Sequence, residues 1–410
     1  MIALRDREAC TGCTACAMVC PVQCIQMLPD REGFLYPVMD AEACIHCGRC
    51  ERACPVSVRR PEKPFQQEAY VLQNRDDRIR QESTSGGAFS AIAEWVVGQG
   101  GVVYGAALRE DCMVAHRAAE TAGDLQGFRN SKYVQSDPGS TFREARAHLE
   151  EGRWVCYSGT PCQVEGFQAF LGKDYEKLVL VDIVCRAVPS PAVWKKYLEM
   201  QREALGAYSG VLFRDKHHGY KYSAMSFFDA GRNKIYAQGI DTDPMLRAFF
   251  SNICDRPSCY HCNFKKRYRV SDFTLWDCFP IFLYDKEMDD DRGTSSVLIH
   301  TDKGRKVFQE IRDRVRCRQV DPDLLAADMR EMVCSVEENP RREAFFRDLE
   351  RMTGRELFRR YFPQTAKVRC ARLLRVGMCR LGIYGAVKRA VTRQKIRRIR
   401  KQGREDGRSS

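Results

Sequence analysis

The chain lacks an apolar stretch behind its first residues. Met1-Ile2-Ala3-Leu4 runs at once into Arg5-Asp6-Arg7-Glu8, so no secretory leader is expected and the protein is read as cytoplasmic. It also lacks any run of about 18 uncharged apolar residues, which excludes a helix spanning the bilayer. Over most of its length it lacks a charge excess. Of 67 Lys+Arg and 54 Asp+Glu, 15 and 2 fall within residues 365–410, which leaves 52 of each sign in the other 364 residues. The body therefore has no global field of the kind that draws nucleic acid. The basic tail carries a single aromatic, Tyr384, and so has little to stack on bases; nucleic acid is not an expected partner. No internal repeat is visible apart from one pair of cysteine runs.

Cysteine is what the chain has in plenty, 21 residues of 410. Disulfide scaffolds are usually short secreted chains. In a long chain without a leader, reduced thiols serving as metal ligands fit better. Their spacing is specific. Cys10-x2-Cys13-x2-Cys16-x3-Cys20-Pro21 recurs as Cys44-x2-Cys47-x2-Cys50-x3-Cys54-Pro55. Each run is the bacterial ferredoxin signature for a 4Fe-4S cluster, with the fourth thiolate given to the other cluster. Cys10, Cys13, Cys16 and Cys54 are expected to hold one cluster, and Cys44, Cys47, Cys50 and Cys20 the second. Zinc would ask for two separated Cys-x2-Cys pairs instead. Cys24 is read as a spare buried thiol. The segment Gly33–Val38 is read as a short hairpin covering a cluster.

The length suggests two or three domains. Residues 1–58 form the cysteine module, 59–68 a linker, 69–340 a main domain and 341–410 a charged, helical, basic extension. In the main domain, strands near Tyr70–Leu72, Val102–Leu108, Trp154–Tyr157 and Leu178–Cys185 alternate with helices at 88–97, 141–149 and 163–171. That pattern predicts an α/β core on a parallel or mixed sheet.

Three constellations in this domain could carry chemistry. Ser83-Thr84-Ser85-Gly86-Gly87 precedes a helix, whose free N–H groups suit a phosphate; an ordinary capped helix start reads the same way. Asn130-Ser131-Lys132-Tyr133-Val134-Gln135-Ser136 mixes hydroxyls, a cation, an aromatic ring and an amide, which suits a pyrophosphate and a flat ring, or a polar surface loop. Cys162 and Cys185 end consecutive strands, and with Cys259-x2-Cys262 could close a third 4Fe-4S site. Four buried structural thiols fit the spacing as well, with Cys254 and Cys278 as possible substitutes. His217-His218 reads as a solvated pair. Lys265-Lys266-Arg267-Tyr268-Arg269 reads as a phosphate or partner site, or a solvated face.

Together with Gly159-Thr160-Pro161-Cys162-Gln163, Val181–Cys185 and Arg256-Pro257-Ser258-Cys259-Tyr260-His261-Cys262, these motifs make residues 5–350 resemble a known family. It is the beta subunit of the deazaflavin (coenzyme F420) hydrogenase/dehydrogenase, here with an N-terminal dicluster ferredoxin fused on. The resemblance implies an α+β ferredoxin-like dicluster module, then an α/β mixed-sheet flavin domain, then the basic tail. It implies FAD, with Ser83–Gly87 and Ser131, Lys132, Tyr133, Gln135 and Ser136 as its binding residues. It supports a third 4Fe-4S cluster on Cys162, Cys185, Cys259 and Cys262. The function implied is an iron–sulfur flavoprotein oxidoreductase; the alternative is a non-catalytic electron-transfer subunit. Its expected partner is a ferredoxin, a deazaflavin or another subunit. Other members sit in surface-polysaccharide gene neighbourhoods, so that metabolism is one setting. Two places depart from the family pattern. Arg186-Ala187 replaces His-Gly after Cys185, and Trp276-Asp277-Cys278-Phe279 replaces Gly-Asp-Phe-Trp. The basic tail adds an anionic membrane surface at the inner face as a further expected contact.

Overall fold

Both cysteine runs fold into the same loop. Gly12 and His46, each two residues past the first cysteine, have φ of 67° and 54°. Thr14 and Gly48, each one past the second cysteine, share a φ of 68°. Two of these four left-handed positions are not glycine, a strain of the kind that gathers at functional sites. Each loop runs into a short helix that carries the third cysteine, α1 (Ala15–Val19) and α2 (Arg49–Arg52). Between the runs lies an antiparallel hairpin of β1 (Ile25–Pro29) and β2 (Leu35–Met39). The computed structural model describes residues 8–58, 62–327 and 329–394.

The main domain is built on β3 (Glu68–Asn74), β4 (Val102–Leu108), β5 (Val114–Ala119), β6 (Val155–Gly159) and β7 (Leu178–Ile183). A small antiparallel sheet of β8 (Gly210–Asp215), β9 (Ala224–Phe228) and β10 (Lys234–Gly239) follows, and then β11 (Phe273–Asp277), β12 (Ser295–Ile299) and β13 (Val315–Val320). The eight-stranded sheet has the order β13-β3-β12-β11-β7-β6-β4-β5. The strands β11, β7, β6 and β4 are parallel, and β12, β13 and β5 run against their neighbours. β6 and β7 are almost wholly apolar because helices cover both faces. After α3 (Asp77–Glu82), α4 (Ala88–Gly98) packs Ala91, Ile92 and Val96 on one face. α5 (Thr141–Glu150) and α6 (Pro161–Leu171) pack Phe142 and Phe167 on the other.

A second core forms between the small sheet and helices α7 (Pro191–Leu205) and α8 (Pro244–Phe250). Beyond α9 (Asp302–Glu310), α10 (Pro322–Ala327) and α11 (Arg330–Val333), this core also takes in α12 (Arg342–Arg351) and α13 (Gly354–Tyr361). Phe345, Phe346, Leu357 and Phe358 are buried in it beside Trp194 and Tyr197. A boundary at residue 341 therefore cuts through a core, and the separate part of the extension starts near α14 (Ala366–Arg380). The expected linker at 59–68 also changes character. Residues 59–61 lie outside the described residues. Glu62 accepts from Arg267 and Tyr268 backbone N–H groups, and buried Gln67 bonds His300 Nδ1 at 2.8 Å. That segment is fastened along the domain edge.

The hairpin of the cysteine module does two jobs. Ile25 is buried among Cys16, Cys20 and Cys24, with Met39 packed against them. Phe34 and Tyr36 join the second core beside Trp194 and Phe213, and Cys10 packs against that same core. Among the described residues no helix is long and apolar enough to cross a membrane.

Candidate functional site

The parallel strands place their carboxyl ends on one edge, where ligand crevices form in open α/β sheets. Ser158 and Gly159 pair with Val181 and Asp182, so β6 and β7 end side by side. Cys162 and Cys185 follow those ends. The Cys259–Cys262 loop comes against them, because buried Asp255 bridges to Pro189 and Arg256 N–H bonds Val188 O. Cys162, Cys185 and Cys262 lie within mutual electrostatic reach, and Cys259 within reach of Cys185 and Cys262. The structure thus brings all four thiols together. Cys254 and Cys278 are elsewhere, each in an apolar core.

The thiols of the N-terminal module gather at the two loops. Cys16 lies within reach of Cys10, Cys54 and Cys50. Cys20, Cys44, Cys47 and Cys50 line one small cavity. Cys24 lines it too, with its sulfur 3.5 Å from that of Cys20. Alternation of left-handed with other residues is the backbone pattern from which anion-binding nests are made. Among the described residues no three His, Cys, Asp or Glu side chains converge on a single ion. Cys13 lies within reach of Cys162, and a Cβ on Gly166 of α6 would stand 2.8 Å from Cys13 Sγ. The module is thus seated directly against the helix that begins at Cys162.

The run Lys265–Arg269 is neither a solvated face nor an open anion site. Lys265 Nζ donates to the carbonyls of Cys185, Arg186 and Glu331. Lys266 pairs with buried Glu165 at 2.8 Å, Arg267 with Asp323, and Arg269 with Asp182 in β7. These cations brace the Cys185 and Cys262 loops.

The two polar loops meet only in part. Thr84 Oγ1 accepts from Ser131 N–H at 2.6 Å, so Ser83–Gly87 and Ser131–Tyr133 are neighbours. No side chain caps α4, whose first N–H groups keep no side-chain partner. Lys132 Nζ donates to the carbonyls of Gly127 and Arg129, and burial pushes its ammonium down to about 7. Gly86 is a packing glycine: its Cβ would stand 2.2 Å from Leu72 O and 2.5 Å from Ser295 N. Gln135 and Ser136 face away. Gln135 donates to Thr11 O in the cysteine module, and Ser136 shares its hydroxyl with His116 and Gln163.

A rim that the sequence reading did not single out closes the edge. Arg214, ending β8, bonds Tyr133 Oη at 2.9 Å and pairs with Asp277 at 3.3 Å. Tyr220 donates to Asp277 and stacks on exposed Phe279 at 4.9 Å. Across β7 stands Arg186, bonded to Asn252 and Glu331 and set over exposed Phe250, which meets Tyr133 edge-on. Both departures from the family pattern, at Arg186 and at Phe279, therefore lie on this rim. The available signal was one Arg and one Tyr in the polar stretch after β8. His217 and His218 sit outside the rim, bonded to Lys234 and stacked on Tyr222.

Residues 9–58 match the family model of the 4Fe-4S dicluster domain. Residues 152–323 match the model for the C terminus of the coenzyme F420 hydrogenase/dehydrogenase beta subunit. Ser83–Gly87 and Ser131–Ser136 fall outside both stretches. A search of curated proteins finds no match. Among solved structures, a chain of the F420-reducing NiFe hydrogenase complex from Methanosarcina barkeri is similar, with 16% identity, a TM-score of 0.43, and coverage of 67% of this chain and 92% of that one. The chain thus joins an N-terminal 4Fe-4S dicluster domain to a domain of the F420 hydrogenase/dehydrogenase beta-subunit family.

Proposed function

We propose that this chain is a cytoplasmic iron–sulfur flavoprotein oxidoreductase. One observation carries the reading: the thiols form a continuous path, Cys16 by Cys10 and Cys54, Cys13 by Cys162, Cys162 by Cys185 and Cys262. Two clusters would be held by the eight N-terminal cysteines and a third by Cys162, Cys185, Cys259 and Cys262. A cube held there would carry negative charge, which Lys265 and Arg269 would offset. FAD would supply the exchange between single electrons and hydride. Ser83–Gly87 and the α4 N-terminus would take its phosphates, Lys132 would stand beside them, and Tyr133 would line the ring. The substrate would enter over Phe250 and Phe279, with Arg214 and Tyr220 held in place by Asp277. A deazaflavin and a glycan precursor are the two acceptor classes to try.

The test is composition after anaerobic purification. The expected result is about twelve iron atoms and one FAD per chain, falling by about four irons in Cys162→Ser or Cys259→Ser. Eight irons with no flavin would sink the proposal. A second reading, an electron-transfer subunit serving a partner's active site, is favoured by the internal use of Gln135 and Ser136. Turnover only after a partner subunit is added would select it.

A further inference from the structure

The basic extension is the motif that the redox reading leaves unused. α14 and the helical residues 384–394 are tied to the body by their inner faces. Arg375 pairs with Asp241, and Arg389 pairs with Asp289 at 3.0 Å. Tyr384 is buried against Tyr222, and Arg393 lies over Phe282. The outer faces are not polar. Leu373 and Leu374 on α14, and Leu381 at its C-cap, are 71%, 67% and 74% exposed. At 3.6 residues per turn they share one side with Ala366, Cys370 and Gly377. Ile383, just ahead of the next helix, and Val387 and Val391 on it repeat every fourth residue and are exposed as well. Exposed Arg369 and Arg380 border the first stripe.

Solvated helices do not turn leucines outward and fasten their arginines inward without a reason. An apolar stripe bordered by cations, in a stretch with 15 basic and 2 acidic residues, has the chemistry of an anionic lipid interface. We propose that α14 and residues 384–394 dock on an anionic phospholipid membrane. They would lie in its plane, stripes at the acyl boundary and cations among the headgroups. The docking helices touch the rim's own segment. Tyr384 meets Tyr222, Arg389 and Lys221 share Asp289, and the adjoining Tyr220 stacks on Phe279. A docked chain would hold that rim beside the bilayer.

The experiment sediments the anaerobically purified full-length protein with vesicles of phosphatidylglycerol and phosphatidylcholine in equal parts. Wild type is expected to pellet with the vesicles, and less so as salt is raised. The triple variant Leu373→Asp, Leu374→Asp, Leu381→Asp should bind at least about tenfold more weakly, with its iron content and visible spectrum unchanged. Wild type that stays in the supernatant overturns the proposal. So does unchanged binding by the triple variant, or equal binding to phosphatidylcholine alone. A wild-type dimer in sedimentation velocity that the triple variant abolishes would make a second copy the occupant and also overturn it.

Discussion

Replacing Arg256 by Leu should loosen the cysteine module from the main domain while leaving both folded. Arg256 is 1% exposed and serves three segments at once. It donates to Cys10 O at 2.7 Å, Leu35 O at 2.9 Å and Gln135 Oε1 at 2.9 Å. Its guanidinium stands over Phe34 and Tyr36 at 5.3 and 4.3 Å. Leucine fills similar space but leaves three buried oxygens without that donor, each costing about 1–3 kcal/mol. The lost cation–π contacts add about 1–2 kcal/mol. Allowing for non-additivity, the docking contact weakens by roughly 4 kcal/mol, or about three orders of magnitude in the undocked population. Native-state hydrogen exchange at Phe34–Met39 reads that opening, and single-turnover electron transfer from reduced N-terminal clusters reads its consequence. Exchange should speed up and transfer should slow, at unchanged iron content. Arg256→Lys should fall between, since an ammonium cannot reproduce the fork. Wild-type protection and wild-type transfer in Arg256→Leu would refute the reasoning.

Acid should destabilise the main domain through two buried histidines. Burial lowers His300 to about 3 and His116 to about 4 from an ordinary 6.5. The unfolded chain binds protons first, so stability is full above about 6.5 and is lost as pH falls. Between pH 7 and 5 the loss is roughly 2 kcal/mol per histidine, and His300→Gln should flatten that slope in denaturant titrations at several pH values. Lys265→Met removes a cation from the Cys185 carbonyl and should make the proposed third centre harder to reduce, read as a lower potential in an EPR-monitored titration. Gly166→Ala drives a methyl to within 2.8 Å of Cys13 Sγ and should cost the first cluster its iron while the second persists. Gly86→Ala meets backbone of β3 and β12 and should destabilise by about 3 kcal/mol, read by thermal unfolding.

The alternation of apolar runs and helical periods marked β3, β4, β6, β7, α4, α5 and α6 within a residue or two, because each buries an apolar run or one apolar face. The strand β11 was missed although it sits at the centre of the sheet. Its five residues, Phe273-Thr274-Leu275-Trp276-Asp277, are too few to show a period, and Thr274 is buried only because it bonds Asp182 and His300. The extension was placed too early for a related reason. α12 and α13 are rich in charge, yet one stripe of Phe345, Leu349, Leu357 and Phe358 belongs to a core whose other half lies 150 residues earlier. Charge density describes the outer face of such helices and hides the inner one.

The grouping of the candidate ligand cysteines was legible where spacing alone creates the geometry. In the tandem runs, left-handed residues at matching positions shape each loop locally. The third thiol set has no such local cause. Cys162 and Cys185 become neighbours through the parallel register of β6 and β7, and Cys259 and Cys262 join them through a bridge at Asp255. Spacing could not separate these four from Cys254, only five residues before Cys259 yet turned into the opposite core. The Ser-Gly-Gly loop shows the converse. Gly86 is required by Leu72 and Ser295, and Gly87 by its φ of 81°, whether or not a phosphate ever binds, so their presence carries no information about the ligand. What does carry information is the unfilled N-terminus of α4 next to Thr84 and Ser131, a property of the folded loop pair and not of either sequence. The flavin proposal therefore stands or falls on that pair, and Ser131→Glu, which sets a carboxylate beside Thr84, should expel FAD while the iron content holds.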